Sequence, residues 1–213
     1  MKKPLFIAIE GGEGSGKSSL LAALKESMAD RVVTTREPGG SPLGAVIRET
    51  ILKHPLAAQA TPATMFCGMF MSRFELLDKI VGPALAAGVS VVTDRFDAST
   101  YAYNVWAQSG GKLEKQFWAL REAIPRLPDL YVFIDVDPAE GLRRARARNA
   151  SKGDGNHFDD RDIEFHKKVK EGYLKFMRSP AVENVVIDAN RPLEEVKKDF
   201  LAAIEWRIDQ ASR

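Results

Sequence analysis

The chain has 213 residues, which is enough for one α/β domain with a proper core and too few for two ordinary domains and a linker. Its 31 lysines and arginines against 29 aspartates and glutamates leave a net charge of +2, so bulk charge does not indicate a basic face for nucleic acid. The single cysteine, Cys67, cannot form an internal disulfide, and no apolar stretch approaches the length of a membrane span. We expect one domain in the cytoplasm, with Cys67 in the core and no nucleic-acid or membrane partner.

The chain begins with a strand, a glycine-rich turn and a helix. Leu5 to Ile9 is an apolar run typical of a buried parallel strand, and Ser18 to Met28 has the apolar spacing of a helix. Between them, residues 11–18 match the phosphate-binding pattern GxxxxGK(S/T). Phosphate oxygens need several backbone N–H donors at close range, and residues without a Cβ allow the backbone to curl around them. The motif therefore predicts a phosphate site in which Lys17 reaches the outer phosphates and Ser18 binds Mg²⁺.

Strands and helices alternate along the rest of the chain. Further strands are predicted at Val32–Thr35, Val89–Thr93, Leu130–Ile134 and Val182–Ile187. Helices are predicted at Leu43–Leu52, Pro62–Ala87, Ala98–Trp106, Leu113–Ile124, Glu140–Arg148, Asp159–Met177 and Leu193–Ile208. The polar residues 149–156 are expected to form a mobile loop. This order predicts an α/β fold with a five-stranded parallel sheet flanked by helices on both faces, and with ligands at the carboxyl ends of the strands.

Charged side chains gather at those predicted carboxyl ends. Arg36 follows the second strand, and the pair Asp94-Arg95 follows the third. The helix after the fourth strand carries Arg143, Arg144, Arg146 and Arg148, of which we expect the first two to form partly a solvated face. So many cations around a phosphate loop suit two phosphate-bearing substrates that face each other, because phosphoryl transfer depends mainly on positioning and charge neutralisation.

Five segments together carry a resemblance to a known family. They are FIAIEGGEGSGKSS, TREPGGSPLG, VVTDRFDASTYAY, VFIDVDPAEGLRRARAR and EFHKKVKEGYL, and they span most of the chain. The sequence resembles the thymidylate kinases, nucleoside monophosphate kinases with a P-loop that phosphorylate dTMP to dTDP with ATP and Mg²⁺ in dTTP synthesis. The resemblance implies the P-loop NTPase fold in one domain over residues 1–213, with a lid at about residues 148–160. It also implies a homodimer formed through the helices between residues 62 and 123.

The resemblance further implies a role for each matching residue. The ATP phosphates would be held by Gly11, Gly12, Glu13, Gly14, Ser15, Gly16, Lys17, Ser18 and Ser19. The metal would be held by Ser18 and Asp94. Binding of dTMP would involve Arg36, Phe66, Met69, Phe70, Arg73, Arg95, Ser99, Thr100 and Tyr103, with Arg36 and Arg95 on the phosphate and Arg73 on the thymine ring. Catalysis would depend on Lys17, Glu13, Arg95, Asp94 and Arg148.

The sequence departs from the family pattern at two places. The family usually has a phenylalanine four residues before the thymine-binding arginine, and this chain has Met69 there, so Phe66, Phe70 or the Met69 thioether itself is left to pack on the base. The lid reads GDGNHFDDRD, with His157 at the place of the family's arginine. The lid cation is therefore one of Arg146, Arg148, Arg161 and protonated His157.

Two alternatives to a dTMP kinase follow from these departures. Met69 is compatible with a nucleoside monophosphate kinase of shifted base specificity. The unusual lid is compatible with a nucleotide-binding regulator that does not catalyse phosphoryl transfer.

Overall fold

The computed structural model describes residues 3–152 and 157–211, and it confirms the predicted five-stranded α/β fold. The strands are β1 Phe6–Glu10, β2 Val32–Arg36, β3 Ser90–Asp94, β4 Leu130–Asp135 and β5 Asn184–Asp188. All their pairings are parallel, in the order β2-β3-β1-β4-β5. β1 is thus the central strand, and the loop that follows it emerges between the carboxyl ends of β3 and β4, where ligands of open α/β sheets bind.

Alternate residues of the central strands enter two separate cores. Phe6 and Ala8 of β1 face one core, which also contains Phe133 of β4. Ile7 and Ile9 face the opposite core. Because successive side chains of a strand point to opposite faces, a strand covered on both faces is expected to be largely apolar, as β1 is from Phe6 to Ile9. The continuous apolar runs of the sequence reflect this double burial.

Helices cover both faces of the sheet. They are α1 Lys17–Met28, α2 Pro42–Arg48, α3 Pro62–Leu76, α4 Gly82–Ala86, α5 Asp97–Thr100, α6 Glu114–Glu122, α7 Pro138–Lys152, α8 Ile163–Met177 and α9 Leu193–Gln210. Segments Glu49–Lys53, Leu77–Val81 and Tyr101–Gln108 have the wider turns of a π-helix, and Pro55–Gln59 is a 3₁₀-helix. Helices α1 and α9 pack together on one face, and α8 packs on segment Tyr101–Gln108 on the other. No helix within the described ranges has the length and apolar character to cross a membrane.

Several predicted boundaries change for identifiable reasons. The predicted helix Pro62–Ala87 is interrupted by wider turns at Leu77–Val81, just before Pro83, which lacks the N–H that an α-helical turn would use. Helix α8 begins later than predicted, because the Asp162 side chain caps it by accepting the Phe165 N–H at 2.8 Å. Helix α7 begins earlier and extends further than predicted, over Pro138–Lys152. Of the predicted mobile loop 149–156, residues 153–156 lie outside the described part of the chain.

The prediction that Cys67 lies in the core is wrong, because its side chain is exposed. In α3, Met65, Phe66, Met69 and Phe70 form the buried face. Residue 67 lies between these two pairs. Because an α-helix has 3.6 residues per turn, its side chain points away from the face that the pairs share.

Candidate functional site

The glycine-rich loop connects β1 to α1 and packs tightly on α7. Gly14 has a φ of 66°, and a Cβ there would lie 1.9 Å from the carbonyl oxygen of Gly141. A Cβ on Gly141 would in turn lie 2.4 Å from the carbonyl oxygen of Glu13. The two glycines therefore allow backbones of the loop and of α7 to approach more closely than any other residue pair would permit. This contact joins the arginine-bearing helix directly to the loop.

Lys17 lies folded back over the loop. Its Nζ donates hydrogen bonds to the carbonyl oxygens of Gly11 at 2.9 Å and Gly12 at 3.1 Å, and to Ser15 Oγ at 3.2 Å. Burial, together with the neighbouring charge of Arg95, lowers the pKa of Lys17 to about 8. The Lys17 ammonium group thus lies against the loop, and an anion bound there would favour its charged form.

Glu13 and Arg95 form an ion pair at the tip of the loop. Arg95 Nη2 lies 2.9 Å from Glu13 Oε1, and the Tyr103 hydroxyl donates to the same oxygen at 3.1 Å. Burial acts to raise the pKa of Glu13, but Arg95 and Lys17 outweigh it and lower the pKa to about 2. Glu13 is therefore ionised throughout the physiological range and links the loop to the residue that follows β3.

A continuous cavity of about 770 Å³ surrounds this loop. On one side the lining comes from the carboxyl ends of β2 and β3 and the residues after them, from α2, α3 and α5, from the 49–53 and 101–108 segments and from Phe158. These residues are Arg36, Glu37, Pro38, Arg48, Leu52, Met69, Asp94, Arg95, Ser99, Thr100, Tyr103, Asn104 and Phe158. On the other side it is lined by Ser18, Ser19, Arg144, Arg148, Ala189, Arg191, Leu193 and Val196. We call these the acceptor end and the donor end, after the dTMP and ATP sites that the family resemblance implies there. Lys17 lines the cavity as well, together with residues 13–16 of the loop.

Most of the residues predicted to bind dTMP line the acceptor end, but three do not. Phe66, Phe70 and Arg73 are absent from the lining and lie in the core behind Met69. Phe66 and Phe70 pack on each other with ring centroids 4.9 Å apart, and the Arg73 guanidinium lies 4.6 Å from the Phe70 ring. Met69 is the member of this helical turn that reaches the cavity. Gly11 and Gly12, predicted for the ATP phosphates, also lie off the lining.

Arg73 is a fully buried cation with one nitrogen left over. It pairs with Glu37, which lies directly after β2, and its Nη2 also donates to Thr100 Oγ1 at 2.7 Å. Burial raises the pKa of Glu37, and Arg73 acts against this increase. The third nitrogen, Nη1, is buried and has no hydrogen-bond partner among the described residues. A buried unsatisfied donor is costly, so it indicates a group that a ligand would satisfy.

The cavity contains polar residues that sequence reasoning did not select. Arg48 of α2 lines the acceptor end, where Arg36 and Arg95 also lie, and burial together with Arg36 lowers its pKa. Asn104 is fully buried, lines the same end, and has an Oδ1 without a partner among the described residues. Arg191 lines the donor end. Position in the sequence offered one signal only: Arg48 lies on the helix that follows the Pro-Gly-Gly turn.

Arg144 also lines the donor end, although the sequence suggested a partly solvated role. Its Nη1 donates to the carbonyl oxygen of Ala189 at 3.1 Å, and its Nε bonds Glu140 at 2.7 Å. Arg143 bonds only Glu140 among the contacts found for it and does not line the cavity. The prediction of a partly solvated face thus fits both residues, since the Arg143 side chain is 70% exposed and the Arg144 side chain 34%, but Arg144 also lines the cavity.

The four candidate lid cations occupy different places. Arg148 lines the cavity and its charge contributes to lowering the pKa of Glu13. Arg146 and Arg161 do not line it, and the Arg161 guanidinium lies 4.3 Å from the Phe165 ring. His157 contacts the Leu52 carbonyl oxygen through Nδ1 at 3.2 Å and also lies off the lining.

The two residues predicted for the metal both line the cavity. Ser18 is at the start of α1, and Asp94 ends β3 beside Arg36, its partner in the β2–β3 register. Asp94 Oδ1 is buried and has no hydrogen-bond partner within the described ranges. A hydroxyl and a free carboxylate oxygen are the hard oxygen donors that Mg²⁺ prefers. The donor set therefore fits this ion.

Comparison with known proteins gives consistent matches over nearly the full length. The family model described as thymidylate kinase matches residues 9–200. A thymidylate kinase of Hahella chejuensis is 36% identical over 206 residues, covering 92% of this chain and 94% of that protein. The thymidylate kinase of Deinococcus radiodurans is 36% identical over 97% of this chain and 99% of its own. That of Halalkalibacterium halodurans is 39% identical over 98% and 99%.

Proposed function

Because this chain belongs to the thymidylate kinase family, we propose that it transfers the γ-phosphoryl group of ATP to dTMP. A phosphate oxygen of dTMP forms the new bond to the γ-phosphorus, the bond from that phosphorus to the β–γ bridging oxygen breaks, and dTDP and ADP are released. The observation that carries the proposal is a continuous cavity that has the phosphate loop and Lys17 between two arginine-rich ends. In-line transfer requires two phosphate groups held face to face in this way.

The assignment is tested by ADP release in a coupled assay with each nucleoside monophosphate. We expect strong preference for dTMP, with dUMP as a weak substrate. Equal turnover of CMP, GMP or AMP would contradict the choice of dTMP, and dTMP binding without any turnover would favour a regulator. The matches over nearly the whole chain favour neither of the two alternatives.

We propose that the thymine ring is recognised by Arg73 and Asn104 and packs on Met69. Arg73 Nη1 and Asn104 Oδ1 are a donor and an acceptor without partners among the described residues, which suits a ring with a carbonyl and an N–H on adjacent positions. Met69 lines the same end of the cavity and offers a polarizable thioether for ring contact. Phe66 and Phe70 then act indirectly, by supporting Arg73 and Met69 from the core. A Met69→Ala variant should raise KM for dTMP and leave KM for ATP unchanged.

The acceptor phosphate is assigned to Arg36, Arg48 and Arg95. All three line the acceptor end, and the lowered pKa of Arg48 reflects burial together with the charge of its neighbour Arg36. Cations held close together repel each other unless an anion lies between them, so the cluster favours a bound phosphate. Thr100 binds Arg73, while Ser99 and Tyr103 line the wall beside Arg95.

We assign the ATP phosphates to the loop. Lys17 would bind the outer phosphates, and Ser19, near the start of α1, would also bind phosphate. Ser18 and Asp94 would hold Mg²⁺, which when bound neutralises charge on the transferred phosphoryl group. We propose that Arg144, which bonds the Ala189 carbonyl oxygen and lines the donor end, contacts the nucleotide base.

Arg148 is proposed as the cation that stabilises the transition state. It is the one of the four lid candidates that lines the cavity, and it acts electrostatically on Glu13. Arg148→Met should lower kcat by about 10³-fold with little change in either KM, by analogy with arginine fingers. Arg161→Met is the matched control, because Arg161 packs on Phe165 away from the cavity. Equal losses in the two variants would contradict the assignment.

The whole chain is proposed to form one domain with a lid at about residues 148–160, of which residues 153–156 lie outside the described part. We also propose a homodimer. Exposed apolar side chains are concentrated on the adjacent helices α2 and α3: Leu43, Val46, Met71 and Phe74. Contiguous apolar surface of this kind marks interfaces between proteins. Phe74→Glu should convert the dimer to a monomer in light scattering, whereas Trp206→Glu, an exposed change on α9, should not.

The free thiol of Cys67 is compatible with a reducing compartment, so the cytoplasm is proposed as the location. Fractionation of cells that express the tagged protein tests this directly. Recovery in an oxidising compartment would contradict it.

A further inference from the structure

Arg95 has an unusual backbone that neighbouring groups hold in place. Its φ is 73°, in the left-handed region, which is disfavoured for a residue with a Cβ. The Arg95 N–H donates to the Ile9 carbonyl oxygen at 2.9 Å, and the next N–H, of Phe96, donates to Glu10 Oε1 at 2.8 Å. Thr93 Oγ1 donates to the Arg95 carbonyl oxygen at 3.0 Å. The end of β1 thus determines the backbone from which the Arg95 side chain extends.

The Arg95 side chain is held from a different direction by Tyr173 of α8. Arg95 Nη1 donates to the Tyr173 hydroxyl at 2.9 Å, and also contacts the Gly11 carbonyl oxygen at 2.9 Å. Tyr173 is fully buried, and its ring packs on Phe133 of β4 with centroids 5.1 Å apart. A buried aromatic ring has little freedom to move, so the hydroxyl is a rigid acceptor for the guanidinium.

The hydrogen bonds around Tyr173 have a definite direction. Ser99 Oγ donates to Glu10 Oε2 at 2.5 Å, and it lies 2.7 Å from the Tyr173 hydroxyl. Above pH 7 the Glu10 carboxylate can only accept, so the single hydroxyl hydrogen of Ser99 goes to Glu10. Ser99 Oγ therefore accepts in its contact with Tyr173, and the single hydroxyl hydrogen of Tyr173 is directed to Ser99 Oγ at 2.7 Å and to the Gly11 carbonyl oxygen at 3.3 Å. This leaves the lone pairs of the Tyr173 oxygen directed to the donors of Arg95.

We propose that Tyr173 is a positioning residue for Arg95, whose phenolic oxygen, oriented through Ser99 and Glu10, aligns the guanidinium with the acceptor phosphate. The inference rests on the proposed role of Arg95 in binding the phosphate of dTMP. Tyr173 itself lies outside the lining of the cavity and acts through the arginine. Tyr173 belongs to α8, which follows the proposed lid segment in the chain, so Arg95 is hydrogen-bonded to the helix next to that segment.

The test separates binding of the phosphate from binding of the rest of the nucleotide. The dissociation constants of dTMP and of thymidine are measured by calorimetry at pH 8. The constant of thymidine divided by that of dTMP is the ratio that reports the contribution of the phosphate. Tyr173→Phe keeps the buried ring and removes one hydrogen bond to a cation, so the ratio should fall about five- to tenfold, with thymidine affinity unchanged. Tyr101→Phe is the matched control, because it removes a buried hydroxyl that donates to Glu114 at 2.6 Å, and it should change neither constant.

Arg95→Ala separates failure of this inference from failure of the proposed function. If Arg95→Ala leaves the ratio unchanged, the phosphate role of Arg95 is wrong. If Arg95→Ala collapses the ratio while Tyr173→Phe does not alter it, only the positioning role of Tyr173 is overturned. Equal weakening of dTMP and thymidine binding in Tyr173→Phe would show a purely structural role and would also overturn it. In the double variant we expect the Tyr173 change to have no further effect on the ratio, because its target is absent.

Discussion

Glu10 is a buried carboxyl group whose titration should be visible in the stability of the protein. It ends β1, is fully buried, and accepts hydrogen bonds from the Phe96 N–H and the Ser99 hydroxyl. Burial, only partly opposed by Ser99 and Arg95, raises its pKa from 4.5 to about 7. The folded state therefore binds this proton more tightly than the unfolded chain does, and the resulting stability is fully present below pH 4.5 and is lost as the pH rises through 7.

Glu10→Gln removes this titration, because it replaces the carboxyl group with an amide of nearly the same shape. At about 1.4 kcal/mol for each pH unit between the two pKa values, the wild-type protein should lose about 3 kcal/mol relative to the variant between pH 5 and pH 8. Urea denaturation at pH 5, 6, 7 and 8 gives the free energy of unfolding of both proteins. The difference should grow steadily up to about pH 7 and then level off.

Comparing two proteins at each pH cancels the other titrating groups, which they share. Glu205→Gln, on an exposed position of α9, controls for the loss of a negative charge and should show no such trend. A difference between Glu10→Gln and wild type that does not change with pH would refute the reasoning, because it would mean that burial does not shift the Glu10 carboxyl.

Three further predictions concern the loop and the acceptor pocket. At pH 8.5, binding of ATP should be accompanied by uptake of about half a proton or more, because the ATP phosphates restore the charge that Lys17, with a pKa of about 8, has lost. Calorimetry in buffers of different ionisation enthalpy measures this uptake, and it should find none in Lys17→Arg. Arg73→Lys should raise KM for dTMP about ten- to a hundredfold at constant KM for ATP, whereas Arg73→Ala leaves Glu37 buried without its cation and should cost about 3 to 5 kcal/mol in chemical denaturation. Gly141→Ala places a Cβ 2.4 Å from the Glu13 carbonyl oxygen and should lower the unfolding free energy by about 1 to 3 kcal/mol, while Gly12→Ala, with open space around its Cβ, should not. An unchanged KM for dTMP in Arg73→Lys, or equal stability of the two glycine variants, would contradict these expectations.

Features determined by short stretches of sequence could be predicted. The phosphate loop is one, because a strand, four glycines and a Lys-Ser pair within one stretch leave few other conformations. The five-stranded sheet is another, because strands buried on both faces are largely apolar, as β1 is up to Ile9 and β4 is up to Ile134. Both patterns depend on neighbours in the chain, so the sequence shows them directly.

Features that depend on which side of a helix faces the site could not be predicted. Met69 and Phe70 are adjacent in α3, yet Met69 reaches the cavity and Phe70 packs in the core. The sequence left four candidate cations near residues 146–161, with Arg148 named for catalysis only through the family resemblance, and the packing of α7 decides that Arg148 lines the cavity while Arg146 does not. Cys67, expected inside, lies outside for the same reason. A small rotation of a helix decides each case, and packing against distant elements sets that rotation.

The sequence alone determined that a glycine-rich phosphate-binding motif follows a buried parallel strand, because that information is local. The tertiary structure decided what surrounds it. Tyr173 reaches Gly11 across 162 positions of the chain, and Arg73 meets Glu37 across 36. Such contacts form only when separate strands and helices are packed together, since burial excludes water and leaves each polar group to find a partner in the fold.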